Sequence, residues 1–123
     1  MTTYATITTD EMAAADAANC NFYHYRAARD IGVTHDDVMD AHAAGCNMRD
    51  YVDARGAGAW HTDVMEAHAA GCNVYAYAGA RSASATHAEA LEAHVAGCNL
   101  RHYAEARHKG SMHTDVMEAH VAV

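Results

Sequence analysis

The sequence contains no proline, a single lysine and only one phenylalanine among its 123 residues. Proline interrupts helices more strongly than any other residue, so its absence removes such breaks from the whole chain. Alanine, which has the highest helix propensity, is the commonest residue. The composition therefore predicts an all-α protein in which strands are few or absent.

Long apolar runs and basic segments are also missing. No apolar stretch is long enough to span a membrane, and no basic leader precedes an apolar run, so neither a membrane span nor a secretory signal is predicted. The formal net charge of −8 disfavours nucleic acid, because an acidic surface repels phosphates. We expect no membrane contact, and the location stays open between the cytoplasm and a virion or extracellular assembly.

What the chain does contain is a tandem repeat. The stretch HTDVMEAHAAGCN at 61–73 has close copies that begin at His35, His87 and His113, and a degraded copy begins at Thr9, each 26 residues after the last. The same register aligns four cysteines with four asparagines, namely Cys20, Cys46, Cys72 and Cys98, followed by Asn21, Asn47, Asn73 and Asn99. A repeat of this length cannot bury its apolar face alone, so neighbouring copies are expected to stack into a solenoid.

Local signals divide each repeat into two short helices. Thr8 with Glu11, Thr34 with Asp37 and Thr86 with Glu89 have the spacing of a capping box at the start of the first helix, whereas Trp60 and Met112 hold the cap position in the other copies. A glycine such as Gly45 ends the first helix, with Asn19 in its place in the first copy, and the aligned asparagine caps the second helix. We therefore predict an α-solenoid of 26-residue αα-hairpins with about nine short helices: a polar N-terminal segment at 1–7, then four hairpins and a terminal half-repeat at 8–123.

Two further ladders lie on the second helices. They are the tyrosines Tyr25, Tyr51, Tyr77 and Tyr103 and the arginines Arg29, Arg55, Arg81 and Arg107. We interpret the tyrosines as core or interface aromatics, and the arginines as last-turn cations that complement the negative helix end. The alternatives are a base-stacking platform for the tyrosines and a binding surface for the arginine and asparagine ladders.

Histidine recurs at two positions of the repeat. The first series is His35, His61, His87 and His113, and the second is His42, His68, His94 and His120. His42 lies four residues before Cys46, a spacing that could bring two metal ligands together. We favour hydrogen bonds from these histidines to neighbouring repeats, with the cysteines as small core residues and no metal or cofactor. Equivalent cysteines on stacked helices are too far apart for disulfides. Because stacked imidazoles that protonate together repel one another, acidification is expected to loosen the solenoid.

The turn between the helices resembles the helix-turn-helix motif in Ala67, Gly71, Cys72, Asn73, Tyr77 and Ala80. That family reads DNA with its second helix, but here this helix begins with Val74, Tyr75 and Ala76, which include no basic or amide reader. DNA binding is therefore disfavoured. No nucleophile elbow, phosphate-binding glycine loop or other enzyme signature occurs, so we expect no catalytic activity.

The repeat resembles the broad class of bihelical HEAT and tetratricopeptide repeats, although 26 residues is shorter than either. The stretch THAEALEAHVAGCNLRHYAEAR at 86–107 is similar to short tandem repeats in hypothetical proteins of actinobacteria and their phages. This resemblance covers residues 8–122. It implies the solenoid fold and indicates no particular activity.

The expected function is therefore structural. We predict a non-enzymatic protein that associates with copies of itself into an oligomer, filament or tube, because the last helix has no second helix to cover its apolar residues. The residues expected to take part are Trp60, Val116, Met117, Val121 and Val123. The alternative is a scaffold whose concave surface binds another protein or a peptide.

Overall fold

A computed structural model describes the backbone of residues 7–121 and their side chains as far as His120. Most of the predicted N-terminal segment at 1–7, and Val123, therefore lie outside the described residues, as does the side chain of Val121. The described residues form nine α-helices and no strand, so the predicted all-α repeat solenoid is confirmed. The helices are α1 (Thr9–Ala17), α2 (Phe22–Asp30), α3 (His35–Ala43), α4 (Met48–Gly56), α5 (His61–Ala69), α6 (Val74–Ser82), α7 (His87–Val95), α8 (Leu100–His108) and α9 (His113–Val121).

The odd-numbered helices are the first helices of the repeats, and their starts differ in how they are capped. Thr8 and Thr86 form complete capping boxes with Glu11 and Glu89. The box predicted at Thr34 is only half formed: the Thr34 hydroxyl accepts from the amide of Asp37, but the carboxylate does not return the bond. Aspartate is one methylene shorter than glutamate, so its carboxylate reaches less far back toward the start of the helix. Like Glu11 and Glu89, it lies near an arginine of a second helix.

Each first helix ends where a residue adopts a left-handed backbone. Gly45 has φ +84, and Asn19 takes the same position in the first repeat with φ +59. The amide of Cys46 then donates to the carbonyl of Ala41, which satisfies one of the last carbonyls of α3. This closed turn returns the chain as the second helix, and the two helices form an αα-hairpin.

The hairpins stack into two layers, first helices in one and second helices in the other. Second helices approach each other more closely than first helices do, above all α4, α6 and α8. Small residues permit this approach. A Cβ placed on Gly79 of α6 would lie 3.5 Å from the Cβ of Ala104 on α8.

The core lies between the two layers and is built from few residue types. The tyrosines at positions 25, 51, 77 and 103 are almost completely buried, and they pack with alanines and valines such as Ala41, Val38 and Val64. No helix of the described chain is long and apolar enough to cross a membrane.

Candidate functional site

Stacked repeats are joined by a hydrogen-bond network that recurs at each junction. In one of them, the phenol oxygen of Tyr51 lies 2.8 Å from Nδ1 of His61, and Nε2 of His61 lies 2.8 Å from a carboxylate oxygen of Asp40. Arg55 donates to the phenol oxygen at 3.0 Å. A carboxylate only accepts, so Nε2 donates to Asp40, and Nδ1 is left to accept from the phenol. A neutral imidazole therefore satisfies every partner in the network.

The other junctions repeat this geometry. The phenol-to-Nδ1 distance is 2.8 Å for Tyr25 and His35, 2.7 Å for Tyr77 and His87, and 2.7 Å for Tyr103 and His113. Nε2 of His87 lies 3.1 Å from a carboxylate oxygen of Glu66, and Nε2 of His113 lies 3.1 Å from a carboxylate oxygen of Glu92. Position 14, where the first repeat would supply the equivalent carboxylate, is an alanine. The first junction thus lacks the hydrogen bond between the imidazole and a carboxylate.

The arginine ladder connects the two layers. The guanidinium groups lie close to carboxylates near the start of the first helix, at 3.1 Å for Arg29 and Glu11, 3.5 Å for Arg55 and Asp37, 3.8 Å for Arg81 and Asp63, and 3.1 Å for Arg107 and Glu89. The backbone amide of Thr86, together with Arg107, holds the pKa of Glu89 below its ordinary value. The helix-dipole interpretation missed these contacts. The acidic residue that recurs 18 positions before each of these arginines was the signal for them.

The second histidine series closes the ends of helices in the preceding repeat. In each of them, Nε2 of the histidine lies close to the carbonyl oxygen of an alanine in the preceding repeat. The distances are 2.7 Å for His42 and Ala18, 3.0 Å for His68 and Ala44, 3.0 Å for His94 and Ala70, and 2.9 Å for His120 and Ala96. Each of these carbonyls belongs to the C-cap residue of a first helix, and a helix end otherwise leaves such carbonyls without a partner. These histidines therefore join successive first helices.

The cysteines lie in the core and do not share partners with the histidines. Cys20, Cys46 and Cys72 are buried, Cys98 is half-buried, and all four are free thiols. The Sγ of Cys46 lies 4.0 Å from Sδ of Met65. Burial raises the pKa of these thiols, so they stay protonated and react slowly. Within the described residues, no three histidine, cysteine or acidic side chains are grouped so that they could hold a metal ion.

The asparagine ladder is used for capping. The side-chain oxygen of Asn21 accepts from the amides of Tyr23 and His24, and Asn47, Asn73 and Asn99 each accept from the amide three residues later. Each asparagine thereby satisfies an amide in the first turn of its helix. These side-chain oxygens already have backbone partners.

The residues expected to mediate self-association differ in their surroundings. Trp60 is 74% exposed and forms no side-chain cap, and α5 nevertheless begins at His61, the position equivalent to the start of α3. Val116 and Met117 are half-buried and pack against the core. The structure thus leaves Trp60 as the most exposed of the described residues in this set.

Charge is divided unequally between the layers. Every one of the eight lysine and arginine residues lies on a second helix or at the C-cap of α8. Most of the acidic residues lie on first helices, and the four layer-spanning arginines neutralise only one carboxylate in each of four first helices. The net charge of −8 is therefore carried by the first helices. The remaining charges of the second helices balance one another.

An open groove of about 660 Å³ runs along the outer face of the second helices. It crosses α4, α6 and α8 and reaches Ile31 at the C-cap of α2. Its lining includes the small residues Gly56, Ala57, Ala76, Ala78, Gly79 and Ala104. Tyr75, His108 and the charged residues Asp53, Arg101 and Glu105 also line it. The volume of the groove lies within the range of typical ligand sites, but the groove is open to solvent rather than enclosed.

Comparison of this chain with protein-family models, with curated proteins and with solved structures finds no match.

Proposed function

We propose that this chain is a non-enzymatic interaction protein that binds a polypeptide segment in the groove along its second helices. The observation that carries the proposal is the continuity of the groove across three closely packed second helices, with many small residues in its lining. Small side chains let the backbone of a partner approach closely, and concave surfaces of this kind are where stacked repeats bind extended partners.

The electrostatic contrast between the two faces supports the same choice. The face of the first helices carries the whole net charge, so acidic partners are repelled from it. The groove face has balanced charges, and Tyr75, which is 56% exposed, offers a large surface with a polar tip. A polypeptide can match such a surface with apolar, aromatic and charged groups together.

The proposal is tested by selecting peptides from a random dodecapeptide display library on the purified chain. Ser82→Trp places a large side chain in the groove at an exposed position of α6, and Ala69→Trp is the matched control at the exposed last residue of α5. We expect the selected peptides to bind the wild type and Ala69→Trp and to lose at least about tenfold affinity for Ser82→Trp. Peptides that bind all three proteins equally would rule out the groove.

Self-association is the second candidate, and one observation favours it. Ala119 of α9 is exposed, whereas the equivalent Ala15, Ala41, Ala67 and Ala93 are completely buried. A helix from a second copy could cover this face. A contact between α9 and α1 of another copy would not reproduce the internal junctions, because Thr9 and Asp16 hold the two histidine positions in the first repeat.

Sedimentation measured over a wide range of concentration tests this second candidate. An assembly is expected to dissociate when Ala119→Glu introduces charge at the exposed face, whereas Ala43→Glu on the exposed surface of α3 should leave it intact. A monomer at the highest concentration would exclude self-association.

A further inference from the structure

The groove face repeats every two hairpins, which is twice the period of the core. In the row nearest the N-terminal ends of the second helices, tyrosine and arginine alternate as Tyr23, Arg49, Tyr75 and Arg101. One turn further along the helices, small and acidic residues alternate as Ala27, Asp53, Gly79 and Glu105. Two equivalent units therefore follow each other along the face of the second helices, each with a tyrosine, an arginine and an acid.

Both units coincide with a hollow in the surface. One hollow, of about 360 Å³, lies between α2 and α4 and is lined by Tyr23, Arg49 and Asp53. The equivalent residues Tyr75, Arg101 and Glu105 line the main groove between α6 and α8. Tyr23 is 77% exposed and Tyr75 56%. The two-hairpin period of the sequence thus coincides with the spacing of two hollows on the surface.

The charged residues of both units form no ion pair with any residue that the structure describes. Arg49 and Asp53 lie one turn apart on α4, as do Arg101 and Glu105 on α8, yet no ion pair within 4.0 Å joins them to each other or to any other described charge. Arginine precedes the acid in both pairs, which is the less favourable order along a helix. In contrast, Arg55 and its equivalents each contact a carboxylate. Opposite charges are therefore available to a partner at two matching places.

We propose that the groove binds an extended polypeptide segment that carries two acidic–basic residue pairs six positions apart. This inference rests on the proposed function. Neighbouring side chains of an extended chain point to opposite sides, so an acid can face the arginine row while the next residue, a base, faces the acidic row.

The spacing follows from the distance between the two units. Packed helices lie about 8–10 Å apart, so α4 and α8 are separated by roughly 16–20 Å. An extended chain rises about 3.3 Å per residue, which places the second pair five or six residues after the first. Both pairs must face the same rows, which requires an even number, and the spacing is therefore six.

A single-stranded nucleic acid is the competing occupant, because exposed tyrosines and arginines also bind bases and phosphates. The acidic residues decide against it. Asp53 and Glu105 lie one turn from Arg49 and Arg101, where they would repel a phosphate bound at either arginine. A polypeptide with both charges uses all four residues.

Fluorescence anisotropy with synthetic dodecapeptides tests the inference. The matched peptide carries glutamate–lysine pairs at its third and fourth and at its ninth and tenth positions, with alanine, valine and threonine elsewhere. The control peptide has the same composition, but its second pair is moved to the sixth and seventh positions. We expect the matched peptide to bind at least about tenfold more tightly, and Arg49→Gln/Arg101→Gln to remove that preference. The four charged residues are exposed, so circular dichroism should show unchanged folding in this variant.

Equal affinity for both peptides, or no binding of the matched one, would overturn the inference. Arginine-dependent binding of a labelled oligouridine of the same length with higher affinity would overturn it in favour of nucleic acid. If the display library yields groove-dependent peptides without the paired charges, the proposed function stands and only the six-residue pattern fails.

Discussion

The phenol of Tyr51 and the imidazole of His61 meet at 2.8 Å across the boundary between two repeats. Tyr51 is completely buried, and its oxygen also accepts from Arg55. The tyrosine therefore has two roles, since its ring fills the core and its hydroxyl links a histidine of the next repeat to an arginine of its own helix. The same relation at the other junctions makes the core and the stacking of the repeats depend on one residue type.

Tyr51→Phe is expected to reduce the free energy of unfolding by roughly 1–3 kcal/mol, because two partly buried polar groups lose their partner while the ring is retained. Urea denaturation measures the change. Tyr75→Phe is the matched control, since Tyr75 is exposed on the groove face, and it should change stability by no more than about 0.5 kcal/mol. A loss of similar size in both variants would contradict the role of the buried hydroxyl.

Substitution by alanine should change stability in opposite directions at two glycines. Gly45 has φ +84, where a side chain is strained, so Gly45→Ala is expected to destabilise by about 1 kcal/mol. Gly79 lies inside α6, and an added Cβ would be at ordinary contact distance from Ala104, so Gly79→Ala should stabilise by roughly 0.5–1 kcal/mol. Thermal melting of the two variants beside the wild type decides whether the signs differ.

Trp60→Thr should stabilise the chain by about 1 kcal/mol, because threonine caps the equivalent helices at Thr8, Thr34 and Thr86. Trp60→Ala is the matched control: it also removes the exposed ring but supplies no capping oxygen, so no gain is expected. Chemical denaturation of both variants separates capping from the loss of the indole. An equal gain in both would mean that the ring itself destabilises the native state.

Glu89→Gln should make stability less dependent on pH. The backbone amide of Thr86 and the guanidinium of Arg107 lower the pKa of Glu89 in the folded chain, so its ionised form stabilises folding above the unfolded value near 4.5. That contribution is lost as the pH falls through the lower folded value. The wild type should exceed Glu89→Gln by at most about 1 kcal/mol at pH 7, and the difference should vanish at strongly acidic pH.

Denaturant titrations at several pH values measure this difference. Glu105→Gln serves as the control, since Glu105 is exposed and has no ion pair with any described residue, and the stability profile of this variant should follow the wild type. A difference between the wild type and Glu89→Gln that stays constant across the acidic range would exclude the assigned linkage.

Much of the fold could be predicted because its signals are local. Capping at Thr8 and Asn47 depends on residues within one turn, and the left-handed turn at Gly45 depends on a single residue. A constant register then implies that the same hairpin recurs. The box at Thr34 was predicted but is half formed, because its acid is an aspartate, which is one methylene shorter than the glutamates of the complete boxes at Thr8 and Thr86.

The groove and the network were not predictable in the same way. Arg55 was assigned to its own helix end, whereas its guanidinium lies 3.5 Å from Asp37 on a different helix and 3.0 Å from Tyr51. Which second helices approach closely depends on the fit of residues such as Gly79 and Ala104 across an interface.

The sequence by itself determined the repeat, its two helices and their ends, because these depend on backbone conformation and on hydrogen bonds between near neighbours in the chain. Only the tertiary structure decided which tyrosine, histidine, arginine and carboxylate meet, and which face is acidic and which is a balanced groove. Apart from the contact between each tyrosine and the arginine four residues later on the same helix, those relations join residues ten to twenty-four positions apart. They exist only after stacking has set the distance and rotation between helices.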